Sequence, residues 1–123
     1  MKNKIILSAE LSSKGERENI WRTEELADCL NELGIDFKRC EGVYKGVSEA
    51  SFMLDWSADT EEAVKELCSS FDQECYLVTD RNGGALLVYT DRTEYIGVMR
   101  ASNVDPGTDA YTRVGDKYLY TIG

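Results

Sequence analysis

Two helical stripes interrupt a chain that otherwise reads as short strands, and their placement decides the fold class. Leu26, Leu30 and Leu33 fall at i, i+4 and i+7, the spacing of one apolar helix face. Glu24, Glu25, Asp28 and Glu32 point elsewhere and make a solvated face. Asn19 or Thr23 is the expected N-cap. Gly34 follows the last leucine, where a left-handed residue ends a helix. The second stripe carries Ala63, Val64, Leu67, Cys68 and Phe71, and Asp59-Thr60-Glu61-Glu62 before it has capping-box spacing. Strand-like runs cover residues 4–7, 37–44, 50–56, 74–79, 85–90, 95–100, 111–114 and 117–122. The order predicts an α+β chain. Its first six elements match the ferredoxin-like split βαβ arrangement, with two helices on one face of an antiparallel sheet. A C-terminal β meander is added to that unit. Tyr76, Leu77 and Val78, like Leu86, Leu87 and Val88, put apolar side chains on both faces of their strands. A sheet covered on both sides fits an oligomer in which sheets pack together.

The 123 residues predict a single domain over 1–123, large enough to bury a core without staples. Fourteen basic against 23 acidic residues leave a net charge of −9. That balance disfavours binding to nucleic-acid phosphates, which needs clustered Lys and Arg. It leaves a soluble, self-repelling surface, or an acidic mimic that inhibits a DNA-binding enzyme. Asp and Glu are interspersed with Lys and Arg, which favours the first. No apolar run approaches the ~20 residues of a membrane helix. Ile5-Ile6-Leu7 is too short for a signal peptide, so a cytoplasmic location is expected. The chain has no histidine, which removes His-based triads and the usual general base. Cys29, Cys40, Cys68 and Cys75 form no C-x-x-C pair. Buried free thiols are expected, with no metal.

Residues 40–52 join the second and third strands and hold Gly42, Gly46, the Tyr44 hydroxyl and Glu49. By period two, Ala50, Phe52, Leu54 and Trp56 share one face of the third strand, and Ser51, Met53 and Asp55 the other. Glu49 falls on the Ser51 side at the mouth of the strand. Gly42-Val43-Tyr44-Lys45-Gly46 lacks the spacing of a phosphate-binding P-loop and leads into a strand. No serine sits in a G-x-S-x-G elbow. The residues alone leave Glu49 as either a surface edge charge or a ligand anchor.

Several short patterns recur in a telling order. Ser8-Ala9 runs into a polar loop, and Phe71-Asp72-Gln73-Glu74-Cys75-Tyr76-Leu77-Val78 follows the second helix. Gly84-Ala85-Leu86-Leu87-Val88-Tyr89, Tyr111-Thr112 and the hairpin from Gly115 to Tyr120 complete the set. In this order the chain resembles the phage S-adenosylmethionine lyases, once called hydrolases, and a related bacterial and phage domain family of unknown function. The resemblance implies a ferredoxin-like subunit similar to the PII signalling proteins. It implies a homotrimer with S-adenosylmethionine bound between subunits, and no cofactor, membrane or nucleic-acid partner. The reaction implied is an intramolecular cleavage to methylthioadenosine and homoserine lactone, countering restriction or methylation in a host cytoplasm. The family's tyrosine and glutamate match Tyr44 and Glu49, although the lyases have a longer connection between the two. Glu49 would anchor the substrate's α-amino group and Tyr44 would position or shield its sulfonium. Ser8, Ser51 and Gln73 would supply further substrate contacts. Two other functions remain open: a non-catalytic PII-like trimer that binds a nucleotide or S-adenosylmethionine, and the acidic inhibitor.

Overall fold

The computed structural model describes residues 4–44 and 46–122, the side chain of Tyr44 excepted. The elements run β1 (Lys4–Ser8), α1 (Glu16–Glu32), β2 (Lys38–Tyr44), β3 (Val47–Asp55), α2 (Ala58–Ser70) and β4 (Cys75–Thr79). They continue β5 (Gly84–Tyr89), β6 (Thr93–Ser102), β7 (Ala110–Val114) and β8 (Lys117–Ile122). The strands form a closed antiparallel barrel in the order β1-β3-β2-β7-β8-β6-β5-β4, with β4 returning to β1.

This closure overturns the expected ferredoxin-like, PII-like open sheet with a meander appended. β2 would be an edge in that arrangement. Here Glu41, Gly42, Val43 and Tyr44 pair with Arg113, Thr112, Tyr111 and Ala110 of β7. The other prospective edge, β4, is continued by β5, with Cys75 opposite Tyr89 and Leu77 opposite Leu87. Closing the ring satisfies the backbone groups that two open edges would expose.

Closure also explains the strands that are apolar on both faces. Outside the barrel, Ile5, Leu7, Phe52, Leu54, Tyr76 and Val78 pack against Leu26, Leu30, Val64 and Leu67 of the two helices. Inside it, Ala85, Met99 and Leu119 cluster with Met53, Leu77, Ile96 and Val114. The sheet is thus covered on both sides within one chain, where oligomeric packing was expected to do the covering.

Helix entry differs from the sequence patterns at both helices. α1 begins at Glu16 behind Gly15, which makes no side-chain cap bond. Asn19 lies inside α1 and spends its side chain on the N–H and C=O of Leu11. Thr23 is buried in the same helix, its hydroxyl donating to the Asn19 carbonyl. α2 is capped by Ser57, whose side chain accepts from the Thr60 N–H, so Asp59 falls in the first turn and not at the cap. Of the cysteines, Cys68 is buried, whereas Cys29, Cys40 and Cys75 are half-buried free thiols. Among the described residues no helix is long and apolar enough to cross a membrane.

Two positions test this packing. Phe52 is fully buried and stacks edge-on to Phe37 at 5.1 Å. Phe52→Ala is expected to cost about 3–5 kcal/mol in urea unfolding. Gly97 has φ +115°, and a Cβ there would lie 2.5 Å from the Ile122 carbonyl oxygen across the β6–β8 seam. Gly97→Ala is expected to cost roughly 2 kcal/mol or more; an unfolding midpoint equal to wild type would contradict that account of the seam.

Candidate functional site

The stretch expected to connect two strands is itself mostly strand. β2 and β3 form a hairpin in which Tyr44 faces Val47, Gly42 faces Glu49 and Cys40 faces Ser51. Gly46, at φ +79°, lies at the tip; residue 45 is outside the described residues. β3 therefore starts three residues earlier than its apolar alternation suggests. The short span from Tyr44 to Glu49 is the consequence of a tight turn. Tyr44 closes β2 with its backbone, and its side chain lies outside the described part of the structure.

Ser8, Glu49, Ser51 and Gln73 line one cavity of about 780 Å³. Its walls include Ile6, Leu77, Leu87, Met99 and Leu119. Strand alternation puts these residues there: Ile6 and Met53 are partners across β1 and β3, while Ile5 and Leu54 beside them turn to the helices. Gly42 preserves space opposite Glu49, since a Cβ would come within 3.3 Å of the Ser51 Oγ.

The mouth forms where β1 leaves the sheet. Pairing with β3 runs from Lys4 opposite Asp55 to Ser8 opposite Ser51 and stops. One further step would place Ala9 opposite Ala50. Instead the Ser8 Oγ donates to the Ala50 carbonyl at 2.8 Å, and the Glu10 carboxylate accepts from the Ala50 N–H. Two side chains thus satisfy backbone groups that a longer strand would have paired. The displaced Ala9 carbonyl accepts from the Arg22 Nε at 2.7 Å, and the same guanidinium donates to the Phe71 carbonyl. Gln73 Nε2 donates to the Glu10 carbonyl at 3.0 Å. Ser8 and Gln73 therefore hold the rim together. Ser51 Oγ is 3.4 Å from the Glu49 carbonyl, a long contact.

Burial raises the Glu49 carboxyl above its ordinary titration range, and the neighbouring Glu10 charge raises it further; the nearby Ser8 hydroxyl opposes both. Cys75 and Tyr111, which also line the cavity, are raised too, as is Tyr76 on the helix side of β4, with burial the largest cause. Cys40, the cross-strand partner of Ser51 on β2, is pushed up to about 12 by burial. None of these groups is tuned toward an activated nucleophile. The surroundings of Glu49 penalise its uncompensated negative charge, so its carboxylate gains from a cation beside it. The geometry suits a ligand with a positive head and a large apolar or aromatic body. Among the described residues no group of three or more His, Cys, Asp or Glu side chains could hold a metal ion.

Sequence patterns missed Glu10, Cys75 and Tyr111 as lining residues. Cys75 was recoverable by counting period two along β4, which separates it and Leu77 from Tyr76 and Val78. Glu10 carried no such signal, because it lies beyond the end of a strand.

The raised carboxyl fixes the sign of a pH effect. The unfolded chain ionises Glu49 in the ordinary range, near pH 4, and the folded chain does so at higher pH. Folded stability is therefore undiminished below the ordinary range, falls as pH rises through the window between the two values, and stays reduced above it. Glu49→Gln is expected to raise Tm at neutral pH, with the gain vanishing below about pH 4. A gain of equal size at all pH values, or none at neutral pH, would contradict the burial cost.

No curated protein matches this chain. The profile of the S-adenosylmethionine lyase family matches residues 5–122, nearly its whole length. Taken with a cavity suited to a cationic ligand, that span leads to one conclusion: the chain belongs to the S-adenosylmethionine lyase family.

Proposed function

We propose that this protein is an enzyme that cleaves S-adenosylmethionine without an outside nucleophile. The substrate's own carboxylate attacks its γ-carbon, and a C–O bond forms as the C–S bond breaks. Sulfur keeps the electron pair and departs in methylthioadenosine, and the methionine arm remains as homoserine lactone. The single observation carrying this reading is the half-buried Glu49 carboxylate at a ligand-sized cavity, its carboxyl raised chiefly by burial.

This chemistry makes modest demands on the protein. The leaving group is already a sulfonium and the nucleophile is built into the substrate. What remains is to fold the arm into a reactive shape and to exclude water. Glu49 anchors the α-ammonium, leaving the substrate carboxylate free to turn toward its γ-carbon. Tyr44, at the end of the paired hairpin strand, positions or shields the sulfonium. Ser8, Ser51 and Gln73 make the polar frame around that end.

The active form is a homotrimer with the ligand between subunits, in the host cytoplasm, where loss of the methyl donor blunts restriction or methylation. Val47 supports a partner at the mouth: it lines the cavity yet is 68% exposed. Light scattering is expected to give a trimer, and a monomer would overturn this assembly.

Purified protein incubated with S-adenosylmethionine is expected to yield methylthioadenosine and homoserine lactone by chromatography. In ¹⁸O water the lactone should form unlabelled. Glu49→Gln should lower kcat/KM roughly ten- to a hundredfold, the loss of one charge-assisted hydrogen bond. Binding without product at high protein concentration would instead make this a non-catalytic S-adenosylmethionine-binding module. Unchanged kinetics in the variant would remove Glu49 from the site.

A further inference from the structure

We propose that Glu10 is a positioning residue for Glu49: by holding the Ala50 backbone where β1 has left the sheet, it aims Glu49 into the cavity and adds a second negative charge at the mouth. The inference rests on the proposed role of Glu49 as the ammonium anchor. The geometry is specific. Glu10 accepts from the N–H of the residue next to Glu49, forty positions along the chain. Its own backbone is fixed on both sides of its Cα: the N–H donates to Ser8 Oγ at 3.1 Å and the C=O accepts from Gln73 at 3.0 Å. Arg22 pins the preceding Ala9 carbonyl. The Glu10 side chain therefore projects from a braced loop and reaches a defined backbone target.

That placement has an electrostatic consequence. Several titratable groups line the same cavity: Glu10 from the loop after β1, Asp72 and Glu74 before β4, Cys75 from β4, Tyr111 from β7 and Tyr120 from β8. Tyr76 spends its hydroxyl on Glu61 of α2. Among them, the Glu10 charge acts on Glu49. Glu10 and Glu49 together favour a ligand that carries both an ammonium and a sulfonium over its thioether counterpart, which lacks the sulfonium charge.

The test separates charge from geometry. Glu10→Gln keeps an oxygen that can accept from Ala50 and removes the charge; Glu10→Ala removes both. In carboxyl-carbon NMR of the protein alone, the Glu49 midpoint should move to lower pH in Glu10→Gln. Amide hydrogen exchange at Ala50 should stay slow in Glu10→Gln and quicken tenfold or more in Glu10→Ala, about the worth of one lost hydrogen bond. In turnover of S-adenosylmethionine, the acid limb of kcat/KM should follow the Glu49 midpoint downward in Glu10→Gln. Glu10→Ala should lose roughly tenfold or more in kcat through misplacement. An unmoved midpoint in Glu10→Gln, or unaltered Ala50 exchange in Glu10→Ala, overturns the proposal. If the wild type makes no product while both NMR effects appear, the Glu10–Glu49 coupling stands and the lyase reading falls.

Discussion

Four residues of β2 pair with four of β7, from Glu41 opposite Arg113 to Tyr44 opposite Ala110, and with that seam made the sheet has no open edge. Everything else follows from it. A sheet joined to itself has an inside, so each strand must satisfy two environments at once. The outer face of β1, β3 and β4 belongs to the helices, and the inner face belongs to the cavity. The inner face of the ring thereby borders a ligand-sized space. The hydrophobic effect that seats the helices also fixes the orientation of the lining residues, because a one-residue slip would exchange the two faces.

The chemistry gathers where this regularity ends. A perfectly paired barrel rim would present only satisfied backbone. β1 stops pairing at Ser8, and the groups left at Ala50 draw in a hydroxyl and a carboxylate. Arg22 and Gln73 then brace the departing chain against the end of α2. The candidate site thus lies at the compensation for a broken ladder, and Glu49 sits on β3 just past the point where β1 stops pairing with it.

Alternation along β3 was legible from the sequence: Phe52 and Leu54 to one side, Ser51 and Met53 to the other, Glu49 with the latter. So were the two helices and the eight strand segments, within a few residues at their ends. The neighbours of those strands were not. Period two says which side chains share a face and is silent on which strand lies alongside, so β2 against β7 could not be inferred from either segment. The same silence turned two-sided apolarity into an expectation of oligomer packing. The start of α1 was hidden because Gly15 caps it without a side chain, while Asn19 carries cap chemistry but serves the loop before the helix. At the candidate site, Glu49 was singled out because a family resemblance pointed to it. Glu10 was not, since its contact depends on where a distant strand happens to turn away.

The wall between helices and cavity is a single sheet, with Ile5 on one side and Ile6 on the other. Such a partition has no slack layer to absorb displacement. A molecule that fills the cavity presses on the same backbone that carries Leu26 and Val64 on its far side. Occupancy therefore braces helices the ligand never touches, and heat should release both together. Conversely, a change of volume beneath α1 or α2 is transmitted through one thickness of peptide to the lining. In this small barrel the outer core and the cavity act as two faces of one mechanical element.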